Sequence, residues 1–267
     1  GASGYTSANA TTAFGGTSAA TPLVAGVAAL VLSVRPDLSD RDVRALLHAT
    51  ARVTHADDPD WLTNAAGARF SPWYGFGVVD AAAAVAHAAN WTVLPRAIVA
   101  CSDEWAGALP LGAAAVHVPL LGMTVAFDRV EVVVVDVDVV HPWRGDVVLT
   151  LVSPSGTAIP LTRAVPTSVP LRDAAFVPHA FMTPGFARET SRRDGWGLRL
   201  VDGTARGYLR RARVCVHGVS SNATVDPGPV IAAPVGATTD DGTTVVLWTV
   251  GAVLVFMGVC LHVIVSS

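Results

Sequence analysis

Ser18 lies in the stretch GGTSAATPLVAG, where two glycines precede a Thr-Ser pair and small residues lead into an apolar run. A serine at the start of a helix can accept a hydrogen bond from a backbone N–H group and act only as a cap. The same position suits a nucleophile, because a helix N-terminus favours negative charge and the serine N–H can donate to an oxyanion. A phosphate-binding loop is a third possibility, but the lysine of the Walker motif is absent.

The elements around this serine are predicted to be mostly helical across residues 1–95. The run beginning at Pro22 is apolar on every side and predicts a helix that is buried all round, with its proline in the first turn. Ser39 followed by Asp42 forms a capping box and predicts an amphipathic surface helix. Asp80 then predicts the N-cap of an alanine-rich helix.

The composition and the hydrophobic pattern of the chain change after residue 95. Valine-rich segments with a period of two, separated by turns such as SPSG, predict several short strands over residues 96–218 and hence a β-sandwich or barrel. Residues 219–242 are rich in serine, threonine, proline and glycine, which is typical of a flexible stalk.

Residues 243–265 carry no aspartate, glutamate, lysine or arginine. As a helix this segment is roughly 35 Å long, against a bilayer core of about 30 Å, so it predicts a single transmembrane helix. Three N-x-S/T sequons, at Asn9, Asn90 and Asn222, are glycosylation candidates that fit an ectodomain in the secretory pathway.

Composition excludes two broad classes of protein. The chain has 267 residues, of which 51% are hydrophobic and 15% charged, with a net charge of −3. These values exclude a disordered protein, and the absence of a charge block argues against a nucleic-acid partner. The three cysteines have no metal-ligand spacing; only Cys101 and Cys215 are candidates for a bridge, and the sequence leaves open whether they pair.

The segment GTSAATP around Ser18, followed by an Ala-Gly pair, resembles the serine-nucleophile signature of subtilisin-like proteases. The stretch DWLTNAAGARFSPWYGFGVVDAAAAVAHAANWT is similar to the end of the catalytic domain of kexin/furin-like proprotein convertases. The later segments RGDVVLTLVSPSGT, AFMT, DGWGLRLVD and GYLRRARVCVHG resemble the P domain of that family, in the same order. The resemblance covers residues from about 14 to 218.

This resemblance implies an α/β subtilisin-like catalytic domain, of which residues 1–95 form the C-terminal part. An all-β, jelly-roll-like P domain (Homo B domain) over residues 96–218 and a transmembrane helix would follow. It implies a Ca²⁺-dependent serine endopeptidase that cleaves proproteins after paired basic residues. Ser18 would be the nucleophile and a backbone oxyanion donor. The protein would be a single-pass membrane protein of the Golgi, trans-Golgi or cell surface, with its ectodomain in the lumen.

One feature departs from the family pattern. The catalytic order in subtilisin-like enzymes is Asp, His, Ser, and all eight histidines of this chain follow Ser18. We therefore expect the catalytic Asp and His, the oxyanion Asn and the Ca²⁺ ligands upstream of Gly1, and no metal site in this chain. We also expect the 267 residues alone to be inactive and residues 1–95 alone to be poorly folded. His48 and His87 are interpreted as helix-surface residues and His141 as a turn residue.

Three smaller features of the sequence involve arginine. The tripeptide RGD at Arg144–Asp146 is interpreted as a turn leading into a strand rather than as an adhesion motif. Arg211 and Arg213 would share one face of a strand, and a solvated face is favoured over a basic binding patch. The pair Arg192-Arg193 lies between predicted strands and could be a processing site.

Two further functions compete with the convertase interpretation. The first is a non-catalytic, membrane-anchored protein that displays its P-type β-domain as an interaction module. The second is another subtilisin-like protease with an unrelated β-domain, which the order of the P-domain-like segments disfavours.

Overall fold

The computed structural model describes residues 15–164 and 179–221. These residues form two compact units, which we call the helical unit and the β unit. The predicted membrane span, most of the predicted stalk, and the sequons at Asn9 and Asn222 lie outside the described residues.

The helical unit comprises the described residues 15–56 and 72–94. An isolated antiparallel bridge joins Arg52 to Val78 in this unit. Its three helices are α1 (Thr17–Val34), α2 (Asp40–Thr50) and α3 (Ala81–Ala88).

Helix α1 begins earlier than the sequence predicts. It starts at Thr17, with Gly16 as its N-cap, so Pro22 lies inside the helix instead of in its first turn. The pyrrolidine nitrogen of Pro22 has no hydrogen to donate to the carbonyl of Ser18, four residues earlier. The backbone oxygen of Ser18 is therefore left without its usual intrahelical donor.

The prediction that α1 is buried all round is wrong. Val27, Ala28 and Val31 pack into a cluster with apolar residues of α2 and α3, whereas Leu23 is 68% exposed and Leu30 is 52% exposed. The reason is that, among the described residues, α2 and α3 cover one face of α1. By length and composition α1 could also cross a membrane, but a core helix satisfies the same two criteria.

Local sequence signals place the ends of α2 and α3 correctly. Ser39 accepts a hydrogen bond from the backbone N–H of Asp42, and the Asp42 carboxylate accepts one from the N–H of Ser39, which confirms the capping box. The Asp80 side chain accepts a hydrogen bond from the N–H of Ala83 at 2.9 Å and caps α3 as predicted.

The β unit comprises the described residues 57–71, 95–164 and 179–221. Two antiparallel sheets and a short hairpin build it. The hairpin is β1 (Leu62–Thr63) with β2 (Arg69–Phe70). The first sheet has the order β5 (Val116–Leu120), β10 (Trp196–Asp202), β7 (Val147–Val152), β8 (Ala158–Pro160). The second has the order β3 (Ile98–Cys101), β11 (Tyr208–Val219), β6 (Arg129–Val140), β9 (His179–Thr183), with β4 (Trp105–Pro110) also paired to β11.

Alternating burial explains why these segments form strands. Leu198 and Leu200 of β10 are buried, as are Val214 and Val216 of β11, while their neighbours along each strand are more exposed. Arg213 lies on the exposed face of β11, as the solvated-face interpretation predicts. The period of two therefore gives each sheet one apolar face, which confirms a β-rich second half.

A disulfide joins Cys101 on β3 to Cys215 on β11, which are direct partners in the register of the two strands. This settles the pairing that the sequence leaves open. The bridge spans 114 residues of sequence, and closing so long a loop restricts the unfolded chain strongly. It therefore fastens the first strand after residue 95 to the last described strand.

Candidate active site

Gly16 sets the geometry of the backbone ahead of the candidate nucleophile. Its φ of 77° and ψ of −167° lie in a region that glycine occupies far more readily than other residues. Its carbonyl accepts hydrogen bonds from the N–H groups of Ala19 at 3.1 Å and Ala20 at 3.2 Å. Among the described residues, nothing lies within 4 Å of a Cβ built on Gly16.

Ser18 is the second residue of α1 and is exposed. The N-cap is Gly16, and no side-chain hydrogen bond caps the helix. The cap interpretation of Ser18 is therefore not supported. The serine lies within the first turn, where backbone N–H groups lack intrahelical acceptors and the helix dipole favours negative charge.

The far end of α1 is held by Arg35, its C-cap residue. The guanidinium of Arg35 donates to the carbonyls of Ala88 and Trp91, each at 3.2 Å. It also pairs with the carboxylate of Asp37 at 2.8 Å. Arg35 thus ties the end of α1 to the residues that close α3.

Asp42 reinforces the same region from α2. Its buried carboxylate accepts hydrogen bonds from the indole Nε1 of Trp91 at 3.1 Å and the N–H of Leu94 at 2.7 Å, besides those from Ser39. Burial alone would raise the pKa of Asp42, but the hydrogen bonds from Ser39, Leu94 and Trp91 outweigh it and lower the pKa. Asp42 is therefore an ionised residue that joins the start of α2 to the segment after α3.

The histidines of the helical unit occupy separate environments. The ring of His48 on α2 stacks on Phe76 with a centroid distance of 4.1 Å, and that of His55 stacks on Tyr74 at 5.5 Å. His87 on α3 is exposed. His87 is therefore a helix-surface residue as predicted, whereas His48 lies on a helix but is half-buried against Phe76.

Residues 57–71 lie between two segments of the helical unit in sequence, but they belong to the β unit. Asn64, between β1 and β2, is buried, and its Nδ2 donates to the carbonyls of Gly185 and Ala187 at 3.0 and 2.9 Å. Its Oδ1 accepts from the N–H groups of Ala66 and Ala68. All the hydrogen-bonding capacity of this amide is therefore used to hold the hairpin.

Glu189 also holds the β1–β2 hairpin in the β unit. It is only 2% exposed, and its Oε1 accepts from the N–H of Ala65 at 3.0 Å and from the hydroxyl of Thr157. Its Oε2 accepts from the hydroxyl of Ser153 at 2.8 Å. Sequence reasoning missed Asn64 and Glu189, because each has partners far away along the chain.

His141 and Asp202 form a buried pair that the sequence does not reveal. The His141 Nε2 lies 3.1 Å from the Asp202 Oδ2 and 3.1 Å from the Thr204 hydroxyl, and the side chains of the pair are fully buried. The N–H of Trp143 donates to the His141 Nδ1 at 2.9 Å, which assigns the ring proton to Nε2. The interpretation of His141 as a turn residue is therefore incomplete: it follows β6 but belongs to the core.

Asp202 also organises the turn between β10 and β11. It accepts hydrogen bonds from the backbone N–H groups of Thr204, Arg206 and Gly207. Burial alone would raise the pKa of Asp202, but these hydrogen bonds lower it to about 2. A Cβ on Gly207 would lie 2.6 Å from the His141 ring, so this close approach requires glycine.

Calcium, which the family resemblance implies, has no fitting donor set in the part of the chain that the structure describes. Across residues 15–164 and 179–221, no group of three or more His, Cys, Asp or Glu side chains could hold a metal ion. No catalytic step is therefore assigned to a metal here.

The structure also describes three other sites that the sequence singled out. Asn90 lies just beyond α3 and is exposed. Arg144–Asp146 forms a short 3₁₀ turn directly before β7, as the turn interpretation predicts. Arg192 and Arg193 are exposed in the connection that leads to β10.

Two family models match the chain. Residues 2–77 match the subtilase family, and residues 130–211 match the proprotein convertase P-domain. The subtilase match contains Ser18 and also Asn64, which the structure places in the β unit. The family of the first match is one of serine endopeptidases.

Curated relatives match about half of the chain. Proprotein convertase subtilisin/kexin type 6 of Homo sapiens is 41% identical over 149 residues, 53% of this chain and 15% of the relative. Furin of Rattus norvegicus is 34% identical over 155 residues, 57% of this chain and 20% of the relative. The chain therefore spans a small part of the length of the relatives it matches.

A solved structure shares the fold of the described residues. The crystal structure of the serine protease of Aeromonas sobria superposes with a TM-score of 0.65 at 25% identity, over 77% of this chain and 44% of the protease. Together with the order of the two family matches, these similarities show that the chain is similar to kexin/furin-like proprotein convertases, with a subtilase-like segment before a segment like the convertase P domain.

Proposed function

We propose that this chain supplies the nucleophile of a serine endopeptidase that cleaves proproteins after paired basic residues. The observation that carries the proposal is the placement of Ser18: it is exposed in the first turn of an apolar helix that begins directly after Gly16, whose φ is 77°. The family match and the relatives named proprotein convertases support the same chemistry.

The proposed role of Ser18 has two parts. Its hydroxyl attacks the scissile carbonyl and forms an acyl-enzyme, while a histidine takes the hydroxyl proton. Its backbone N–H donates to the oxyanion of the tetrahedral intermediate, aided by the helix dipole. Gly16 has no side chain, and no described residue lies within 4 Å of its missing Cβ, which supports the approach of a peptide substrate's backbone to the serine.

The general base and its aspartate are proposed to precede Gly1 in the active protein. No histidine and no aspartate precedes Ser18 in this sequence, and the family order requires both before the serine. The exposed apolar face of α1, with Leu23 and Leu30, supports this view, because a buried sheet would cover such a face. The oxyanion asparagine and Ca²⁺ ligands are proposed to lie in the same upstream part.

The remaining family features are proposals of the same kind. Residues 96–218 would be a jelly-roll-like P domain that stabilises the catalytic part formed by residues 1–95. Residues 243–265 would anchor the protein in a secretory-pathway membrane, with Asn90 glycosylated in the lumen. The substrates would be proproteins with basic residues.

Activity of a longer chain tests this proposal. The 267 residues, extended by the upstream coding sequence, should hydrolyse a fluorogenic peptide ending in Arg-Arg, whereas the 267 residues alone should not. Ser18→Ala in the longer chain should lower kcat by a factor of about 10⁶, because the nucleophile is lost. Hydrolysis by the 267 residues alone that disappears in Ser18→Ala would overturn the proposed location of the base.

A display role without catalysis is the second candidate. The β unit favours it, because it has its own buried core and disulfide. In that case the longer chain should remain inactive although it is folded, and the wild type and Ser18→Ala should behave alike.

A further inference from the structure

The connection between β9 and β10 presents a paired-basic sequence at the surface of the β unit. Arg192 and Arg193 are exposed, as are Asp194 and Gly195 after them. The sequence contains no lysine, and its adjacent basic pairs are this one and Arg210-Arg211. The two pairs are therefore a natural comparison.

Residues held by hydrogen bonds or burial, Ser191 and Trp196, flank the exposed residues on both sides. Ser191 exchanges two backbone hydrogen bonds with Phe127, each 2.8 Å long. Trp196 is buried at the start of β10, and its Nε1 donates to the Ser191 hydroxyl at 3.0 Å. Residues 192–195 thus form a short exposed bend whose own backbone takes no part in either sheet.

The second pair has a different backbone environment. Arg210 and Arg211 lie within β11, which pairs with β6 on one side and with β4 on the other. Their side chains reach solvent, but the strand's backbone bonds belong to the sheet. An endopeptidase binds its substrate as an extended strand through backbone hydrogen bonds, so an exposed connection is favoured over a central strand.

We propose that the bond between Arg193 and Asp194 is a processing site, cut in the folded β unit by a paired-basic endopeptidase. The choice of a paired-basic endopeptidase as the cutting enzyme rests on the function proposed above for this chain. In the reaction the C–N bond between the two residues breaks and one water is consumed. Arg193 gains a carboxylate and Asp194 a free amino group.

The product stays in one piece because of the disulfide. Cys101 lies before the cut and Cys215 after it, and they are bonded to each other. Strand β10, which begins just beyond the cut, pairs with β5 on one side and β7 on the other. Cleavage therefore yields a folded, two-chain form joined by one disulfide.

Treatment of the purified 267-residue chain with an added kexin-type endopeptidase tests the site. We expect one band on a non-reducing gel and two bands after reduction, with mass spectrometry locating the new ends at Arg193 and Asp194. Arg193→Ala should abolish the cut and Arg193→Lys should retain it. Arg211→Ala, the matched control on β11, should leave the cut unchanged. Circular dichroism should show all variants folded.

Three results would overturn the proposal. One is an uncut folded chain under conditions where a synthetic peptide of residues 188–198 is cleaved; another is failure of both the chain and the peptide to be cut. The third is equal cleavage after Arg211. Because the added enzyme supplies the activity, none of these results depends on whether Ser18 is a nucleophile.

Discussion

The β unit is self-sufficient in its packing, whereas the helical unit is not. In the β unit two sheets bury alternating apolar residues against their own neighbours, and a disulfide fastens the second sheet. In the helical unit the long apolar helix α1 buries three residues and leaves Leu23, Leu30 and Val34 exposed. A stable helix does not normally present so much apolar surface to water. This contrast supports the proposal that α1 packs against further parts of the active protein besides α2 and α3.

The largest difference between the units should follow loss of the disulfide. The double variant Cys101→Ser/Cys215→Ser should lower the unfolding free energy of the β unit by roughly 4–5 kcal/mol, because the loop-closure restraint on the unfolded chain disappears. Hydrogen exchange followed by mass spectrometry in increasing urea reports on each unit separately. The helical unit serves as the control, and equal loss in both units would contradict their independence.

A leucine-to-alanine substitution in each unit compares how well the two units are packed. Leu200→Ala in the β unit should cost about 2–5 kcal/mol, since Leu200 is fully buried and its removal leaves a cavity. Leu30→Ala in α1 should cost less than about 0.5 kcal/mol, since Leu30 is half in solvent. Urea unfolding measures both. A large cost at Leu30 in the 267-residue chain would show that its face of α1 is covered.

Acid should weaken the β unit through Asp202. Its folded pKa of about 2 lies below the unfolded value of about 3.9, so ionised Asp202 stabilises the fold above pH 4. That contribution, roughly 2 kcal/mol, is lost as the pH falls from about 4 to 2. Urea midpoints at pH 7 and pH 3 should differ less in Asp202→Asn than in the wild type. An unchanged pH dependence in the variant would exclude Asp202 as the cause.

The hairpin around Asn64 should follow the β unit, although its sequence lies within the subtilase match. Asn64→Ala removes the donors to the carbonyls of Gly185 and Ala187 and should cost roughly 1–2 kcal/mol. Amide exchange should accelerate in residues 57–71 and stay unchanged in α2. Faster exchange in α2 instead would place the hairpin's stability with the helical unit.

Local signals were predictable from the sequence, because their partners are a few residues apart. The capping box of Ser39 and Asp42, the cap at Asp80 and the period-two strands all follow from neighbouring residues. Ser18 was identified by its motif and not by its surroundings. The start of α1 was misplaced because Pro22 is tolerated inside the helix.

Long-range features were not predictable in the same way. The Asn64 amide finds its acceptors 121 and 123 residues later, and His141 finds the Thr204 hydroxyl 63 residues later. Such partners depend on how strands are ordered in the sheets, which single-sequence patterns do not specify. The exposed face of α1 was missed for the opposite reason: its apolar sequence indicates burial, whereas the described residues of α2 and α3 cover one face of it.

Covalent labelling of Ser18 tests the central claim most directly. The 267-residue chain extended by its upstream coding sequence is treated with a peptidyl phosphonate that ends in Arg-Arg, and the labelled residue is located by mass spectrometry. The account predicts one adduct, on Ser18, that is absent from Ser18→Ala and from the 267 residues alone. A folded longer chain that hydrolyses the Arg-Arg peptide but carries the label on another serine would contradict it.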